Sequence, residues 1–308
     1  MTTESAPVVT FREGTLADSR AVFDVFLEAI QDLERRHGLG VHVRTDTPEA
    51  LEDLWSRRRS LFEHMANHAE SFWIAEEDGR PVGYARTFMR SGLRELTEFF
   101  VRPSSQARGV GRELLARAFP AEGASRRLIM ATMDARALTR YLRTGLRPRF
   151  VQFYFARKAE ARAVPSDLVI EPMPAPIDEA TLEALAAIDR EVLEIRRDQD
   201  HRWFAGEKQG FLARRGGRIV GYGYTGQRCG PFAALDPADQ PALFAHAEAL
   251  VAPTGEDFGM SIPAINLVAL EYVLAHGFKL DVAVAHFLSD VPFGRFDRYA
   301  FNAPGLFL

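Results

Sequence analysis

The stretch Phe99-Phe100-Val101-Arg102-Pro103-Ser104-Ser105-Gln106-Ala107-Arg108-Gly109-Val110-Gly111-Arg112-Glu113-Leu114-Leu115 holds the densest chemical signal in the chain. An apolar strand feeds a glycine loop, and the loop feeds a helix. The first N–H groups of a helix have no intrahelical partner. The macrodipole places about half a positive charge at that end, so it binds phosphate through backbone donors alone. Gly109 and Gly111 lack a Cβ and let an anion come close, and Arg108 and Arg112 add charge beside it. A dinucleotide fingerprint needs a third glycine at position 114, where this chain has leucine. A Walker loop needs a closing Gly-Lys-Ser/Thr, which is absent. A plain structural connection is the remaining reading from the residues alone.

Gln106-x-x-Gly109-x-Gly111 resembles the pyrophosphate loop of the GNAT acetyltransferases, Gln/Arg-x-x-Gly-x-Gly/Ala. Downstream, Asp134-x-x-Ala137-x-x-x-Tyr141-x-x-x-Gly145-Leu146 resembles that family's Asn-x-x-Ala-x-x-x-Tyr-x-x-x-Gly-Phe. Asp134 replaces an asparagine and so lacks an amide donor; Leu146 replaces a phenylalanine. The resemblance implies an α/β fold with a mixed sheet, acetyl-CoA as co-substrate and no metal. It implies that the backbone of Phe99, Phe100 and Val101 pairs with the pantetheine arm. Gln106, Ala107, Arg108, Gly109, Val110, Gly111 and Arg112 would hold the diphosphate, with Asp134 a further contact.

Acetyl transfer to an amine needs a held thioester, a neutral amine, a stabilised oxyanion and a protonated leaving thiolate. The resemblance makes Tyr141 the general acid, a phenol of pKa ~10 donating to the departing sulfur. Glu98, on the strand that carries the cofactor, is the candidate base. His37, His42, His64, His68 and Glu28 lie where the family builds its acceptor pocket; each histidine alone reads first as a surface residue.

The positioning elements follow from periodicity. A short β run, Val8 to Arg12, precedes a capping box at Thr15 and Asp18. Val22, Phe23, Phe26, Leu27 and Ile30 then recur at helical spacing. Thr47-Pro48-Glu49 opens a second helix with the stripe Leu51, Leu54, Trp55, Leu61, Phe62 and Met65. Strands are expected over 72–75, 81–88, 96–101, 128–131 and 151–155, and helices over 112–118 and 135–143. The charged, Ala-rich segment 159–166 reads as a linker between domains at 7–158 and 167–308.

The second half repeats the plan. Phe211 to Tyr222 matches Trp73 to Tyr84, both placing Gly-Arg-x-Val-Gly-Tyr after a polar turn. Asn266, Ala269, Gly277 and Phe278 mirror Asp134, Ala137, Gly145 and Leu146 at the same mutual spacing. Such order argues for internal duplication, and two GNAT domains forming a pseudo-dimer are expected. Val273 stands where the first half has Tyr141, and Tyr272 is about 100° away around the helix. No Gln/Arg-x-x-Gly-x-Gly occurs there, so the second domain is expected not to bind acetyl-CoA productively. The aromatic, arginine-bearing tail 292–301 is expected to pack, with Arg295 a possible acceptor contact.

Composition sets the bounds. The formal charge is −4, from 38 basic and 42 acidic side chains, which gives no overall pull toward nucleic acid or anionic membrane. The cluster Arg57-Arg58-Arg59 reads as a solvated helix face. One cysteine, Cys229, supports neither a disulfide framework nor a cysteine metal site. No signal peptide, membrane-length apolar run, His-Glu-x-x-His, Gly-x-Ser-x-Gly or Cys pair is visible. The expectation is a cytoplasmic N-acetyltransferase, monomer or homodimer, acting on a small primary amine. A protein N-terminus or lysine is the alternative acceptor, and a non-catalytic acyl-CoA sensor the alternative class.

Overall fold

The computed structural model describes residues 8–38, 47–226 and 229–302. The chain divides into two compact units, Met1–Arg127 and Leu128–Leu308.

In the first unit, β1 (Val9–Glu13), α1 (Ser19–Arg36) and α2 (Pro48–His68) precede β2 (Ser71–Glu77), β3 (Arg80–Arg90), β4 (Leu93–Val101) and α3 (Val110–Ala118). The strands run in the order β1-β2-β3-β4, each pair antiparallel. Thr15 and Asp18 form the expected capping box, on a 3-10 turn that leads into α1. Thr47 accepts from the Ala50 N–H and Pro48 occupies the first helical position, as its fixed φ allows. The helices bury Val22, Phe23, Trp55, Phe62 and Met65. Phe23 meets Trp55 and Phe62 at 5.2 and 5.4 Å, and Phe26 meets Phe100 of β4 at 5.1 Å. Arg57 and Arg59 pair with Asp53 and Glu63 one turn away on a solvated face, whereas Arg58 between them is half-buried.

Two irregularities shape this sheet. Val82 is an extra residue in β3, because Gly83 faces Ala75 while Pro81 faces Glu76. Thr97 is an extra residue in β4, because Arg86 faces Glu98 while Thr87 faces Leu96. Its hydroxyl donates to the Arg86 carbonyl at 3.1 Å. A bulge of this kind bends a strand and re-aims its side chains.

The second unit holds β5 (Arg126–Ala131), α4 (Ala135–Arg143), β6 (Arg147–Lys158), β7 (Val169–Pro172), α5 (Glu179–Val192) and α6 (Asp198–Glu207). It continues with β8 (Gln209–Arg215), β9 (Arg218–Thr225), β10 (Phe232–Ala234), α7 (Gln240–Val251), β11 (Asp257–Pro263), α8 (Leu267–Ala275), β12 (Lys279–Ser289) and β13 (Tyr299–Ala300). One set of strands runs β5-β12-β6-β11, the other β13-β10-β9-β8-β7. Strand β12 pairs with both β5 and β6. Residues 128–158 thus pack with the second repeat although they precede segment 159–166 in sequence. The repeat and the packing unit are different divisions of one chain.

The internal duplication is visible in backbone detail. Asp78-Gly79 and Gly216-Gly217 both have positive φ at both turn positions, the geometry of tight hairpins. The extra residue Val82 has its counterpart in Val220, since Ala213 faces Gly221 while Arg214 faces Ile219. Helices α4 and α8 are each nine residues long, capped by Asp134 and Asn266, and followed by left-handed Gly145 and Gly277. The tail packs inside its own unit: Phe293, Phe296 and Phe301 surround Phe287 at 5.7, 4.6 and 6.2 Å. Arg295 pairs with Asp297 at 3.3 Å.

Two buried carboxylates organise this unit. Glu248, without exposed side-chain surface, pairs with Arg157 at 2.6 Å and Arg162 at 3.3 Å, anchoring the segment after β6. Asp189 is fully buried and bonded by Arg197 Nε at 2.8 Å, Tyr222 Oη at 2.5 Å and His201 Nε2 at 2.8 Å. Burial disfavours the Asp189 carboxylate, but the charges of Arg197 and His201 outweigh it, so the carboxyl titrates below its ordinary range. A depressed folded value gives stability that is present above the unfolded pKa of ~3.9 and lost as pH falls below it. Asp189→Asn leaves Arg197 buried without its counter-charge. It should cost about 3–5 kcal/mol at neutral pH, read as an earlier urea midpoint, and the gap to the parent should narrow toward pH 3.

Candidate functional site

The loop between β4 and α3 is built from its root upward. At the end of β4, Arg102 is largely buried, donates through Nε to the Pro81 carbonyl at 2.9 Å and pairs with Glu28 of α1. Glu28, expected near the acceptor, braces the root of the loop instead. Gln106 folds back, its Nε2 donating to the Val101 carbonyl at 3.0 Å. Ala107 (φ 66°) and Gly109 (φ 86°) are both left-handed. That region costs a non-glycine residue energy and persists only where the surroundings enforce it. Gly109 caps α3, and its carbonyl accepts from the N–H groups of Arg112 and Glu113 at 2.9 and 3.2 Å. A Cβ added at Gly109 would meet nothing within 4 Å, so the space over this helix start is open. The residues therefore fit a bound diphosphate. Arg108 reaches Glu77 of β2 at 2.5 Å, and Arg112 projects into solvent. An arriving anion competes with Glu77 for the Arg108 guanidinium.

Glu98 is not a solvated strand-face residue. Its carboxylate has no exposed surface, lies 3.0 Å from Arg86 Nε and accepts from Tyr84 Oη at 3.0 Å. Phe99, Phe100 and Val101, the next residues on β4, are half-buried. Burial raises the Glu98 pKa, partly offset by the Arg86 charge and the Tyr84 hydrogen bond. The result is a carboxylate more basic than usual, at the strand end that leads into the loop.

On the second unit, Asp134 and Tyr141 share α4. The Asp134 carboxylate accepts from the Arg136 N–H at 2.9 Å as the helix cap. Tyr141 is buried. Burial and the Asp134 charge raise its pKa, so the hydroxyl stays protonated across the working pH range. The matching position on α8, Val273, is fully buried and has no hydroxyl.

His37 ends α1. His64 and His68 stack at 4.5 Å on α2, with His64 edge-on to Phe88. His42 lies outside the described residues. Among the described residues, no three His, Cys, Asp or Glu side chains cluster as metal ligands. Sequence reasoning missed Arg86, Tyr84, Glu77 and Arg102. A signal was present for Arg86: it sits between Tyr84 and Phe88 at strand period two, so a charge shares their buried face.

The second repeat inverts the loop's chemistry. Helix α7 is the first helix after the short strand β10, and its cap is Asp239 rather than a glycine. Arg215, aligned with Glu77 in the duplicated hairpins, holds Asp239 at 2.7 Å. The second repeat thus pairs its helix-cap aspartate with Arg215, where the first pairs Arg108 of the loop with Glu77.

Residues 31–145 match the family model described as acetyltransferase (GNAT) family. A search of curated proteins returned no match. Among solved structures, the chain is similar to a putative acetyltransferase from Pyrococcus horikoshii, with a TM-score of 0.69 at 16% identity over 97% of this chain and 96% of that one. It is similar to a GCN5-related N-acetyltransferase from Sphaerobacter thermophilus, with a TM-score of 0.57 at 16% identity over 91% and 95%. A tandem GNAT protein from the clavulanic acid biosynthesis pathway gives a TM-score of 0.59 at 14% identity over 93% and 100%. At these identities the structural likeness establishes the fold, and the family match is confined to residues 31–145. Residues 31–145 thus match the GNAT acetyltransferase family model, and the chain shares its fold with solved acetyltransferase structures, one of them a tandem GNAT protein.

Proposed function

We propose that this enzyme transfers the acetyl group of acetyl-CoA to the primary amine of a small molecule by direct attack in a ternary complex. The observation that carries the proposal is the open, Gly109-capped start of α3 at the end of β4. In this reading the amides and side chains of Gln106 to Arg112 hold the diphosphate, and the backbone of Phe99 to Val101 holds the pantetheine arm. The cap position of Asp134 on α4 makes it a weaker candidate for contact with the nucleotide. In this reading the repeats run 7–158 and 167–308 with 159–166 between them, and only the first takes acetyl-CoA, because the second has no glycine loop and caps its helix with Asp239.

The amine first gives its proton to Glu98, whose raised pKa moves it toward the value a base needs near neutrality. The neutral nitrogen then attacks the thioester carbon. A backbone N–H of β4 donates to the oxyanion, an interaction typically worth ~3–4 kcal/mol. The C–S bond breaks as Tyr141 donates to the sulfur, leaving the N-acetylated amine and the free thiol of coenzyme A. The chain has a formal charge of −4 and, among the described residues, no helix long and apolar enough to cross a membrane. A cytoplasmic enzyme working as monomer or homodimer, without nucleic acid or membrane, is the matching proposal.

A panel of arylalkylamines, polyamines, aminoglycosides, amino acids and peptide N-termini, followed by thiol release, tests the acceptor class. Preference for a peptide would favour the protein-acetylating alternative. Thermal stabilisation by acetyl-CoA with no acceleration by any amine would favour the sensor. Tyr141→Phe should lower kcat at least about tenfold with acetyl-CoA affinity kept; unchanged turnover removes Tyr141 from the mechanism. Gly109→Val forces a β-branched residue into left-handed backbone, at about 1–3 kcal/mol. It should weaken acetyl-CoA binding about tenfold or more, measured by fluorescence titration.

A further inference from the structure

We infer that Arg86 is the positioning residue for acceptor deprotonation: its buried charge beside Glu98 holds that carboxylate ionised where the acceptor amine must give up its proton. The inference rests on the reading of Glu98 as the base.

Arg86 and Glu98 are partners across the β3–β4 ladder at the point where the Thr97 bulge interrupts it. Both side chains are without exposed surface, and Nε and Oε2 lie 3.0 Å apart. Arg86 is itself immobilised. Its Nη1 donates to the Phe62 carbonyl at 2.8 Å, and its guanidinium lies 5.3, 4.5 and 5.3 Å from the ring centres of Phe62, Phe72 and Tyr84. The Tyr84 hydroxyl takes the other oxygen, Oε1, at 3.0 Å. The Arg86 charge thus faces Oε2 as a close ion pair without a hydrogen bond, and Tyr84 supplies the hydrogen bond to Oε1. Without a counter-charge, such a carboxylate takes up a proton and stops being a base.

Stability is a poor reason for the pair. Apolar side chains of similar volume usually serve a core as well as a buried ion pair, or better. The surroundings also leave Arg86 as the cation acting on Glu98. On the same strand Glu95 pairs with Arg90 at 2.9 Å. From α1, Asp24 lies 3.6 Å from Arg20 and Glu28 is held by Arg102. From α2, Phe62 faces Arg86, and His64 lies against Phe88. From α3, Glu113 pairs with Arg117 at 2.8 Å. The proton balance is simple. An ammonium N–H bond breaks and a Glu98 O–H bond forms beside the Arg86 cation. That proton leaves to solvent after the products, which restores the pair.

The test compares the parent enzyme with Arg86→Gln, Arg86→Lys and Glu98→Gln. Two readouts are needed: infrared difference titration of the Glu98 carboxyl band, and the pH profile of kcat/KM with the fastest amine of the acceptor panel. Arg86→Gln should raise the carboxyl midpoint and the acidic limb by about one pH unit or more. It should lower turnover about tenfold at pH 7 while leaving acetyl-CoA affinity within about twofold. Arg86→Lys should keep the midpoint near that of the parent. An Arg86→Gln enzyme whose midpoint and limb coincide with the parent's overturns the inference. If Glu98→Gln keeps the acidic limb, the reading of Glu98 as base fails first. If it abolishes the limb but Arg86→Gln does not move it, only the role of Arg86 fails. Should Arg86→Gln not fold, Arg86→Lys decides. An ammonium cannot serve Phe62 and Glu98 together, so turnover should drop several-fold, and full activity would overturn the proposal.

Discussion

The left-handed backbone at Gly109 is the constraint on which this site depends. A helix that begins with φ near 86° brings the chain abruptly from β4 into α3, with open space beside Gly109. Side chains contribute at the margins. Gln106 ties the loop to Val101, and Arg102 ties its root to Pro81 and Glu28. The diphosphate grip is a backbone property, made possible by one residue without a Cβ.

The duplication gives an internal control for that idea. Both repeats keep the hairpin, its bulge and a nine-residue helix ending at a left-handed glycine. They differ at the cradle. The first repeat sets Glu77 beside Arg108, and the second sets Arg215 beside Asp239. The charges are reversed between the two copies, and the second copy has an aspartate at its helix cap. The second copy keeps the architecture of its relative and has put its polar groups to structural use, around Asp189 and Glu248.

Much of this was legible in the sequence, for a physical reason. Hairpin turns, helix caps and glycine loops are local devices, so Asp78-Gly79, Thr47-Pro48 and Gly109-x-Gly111 announce themselves within a few residues. Long-range pairings do not. Nothing in the spacing shows that β12 pairs with both β5 and β6. The chemistry of Glu98 is visible in the sequence but its burial is not, because its environment is made by Arg86, Tyr84 and Phe62, which lie 12 to 36 positions away. Glu28 was placed near the acceptor by its helix, and its partner Arg102 was invisible until the helix was docked.

The central claim is that one cradle, and only one, grips the diphosphate of coenzyme A. Isothermal titration of the intact 308-residue chain with acetyl-CoA tests it most directly. The account predicts a single binding site per chain, weakened by rising salt as expected for a charged ligand. Absence of binding heat at several temperatures, or two equivalent sites per chain, would contradict it.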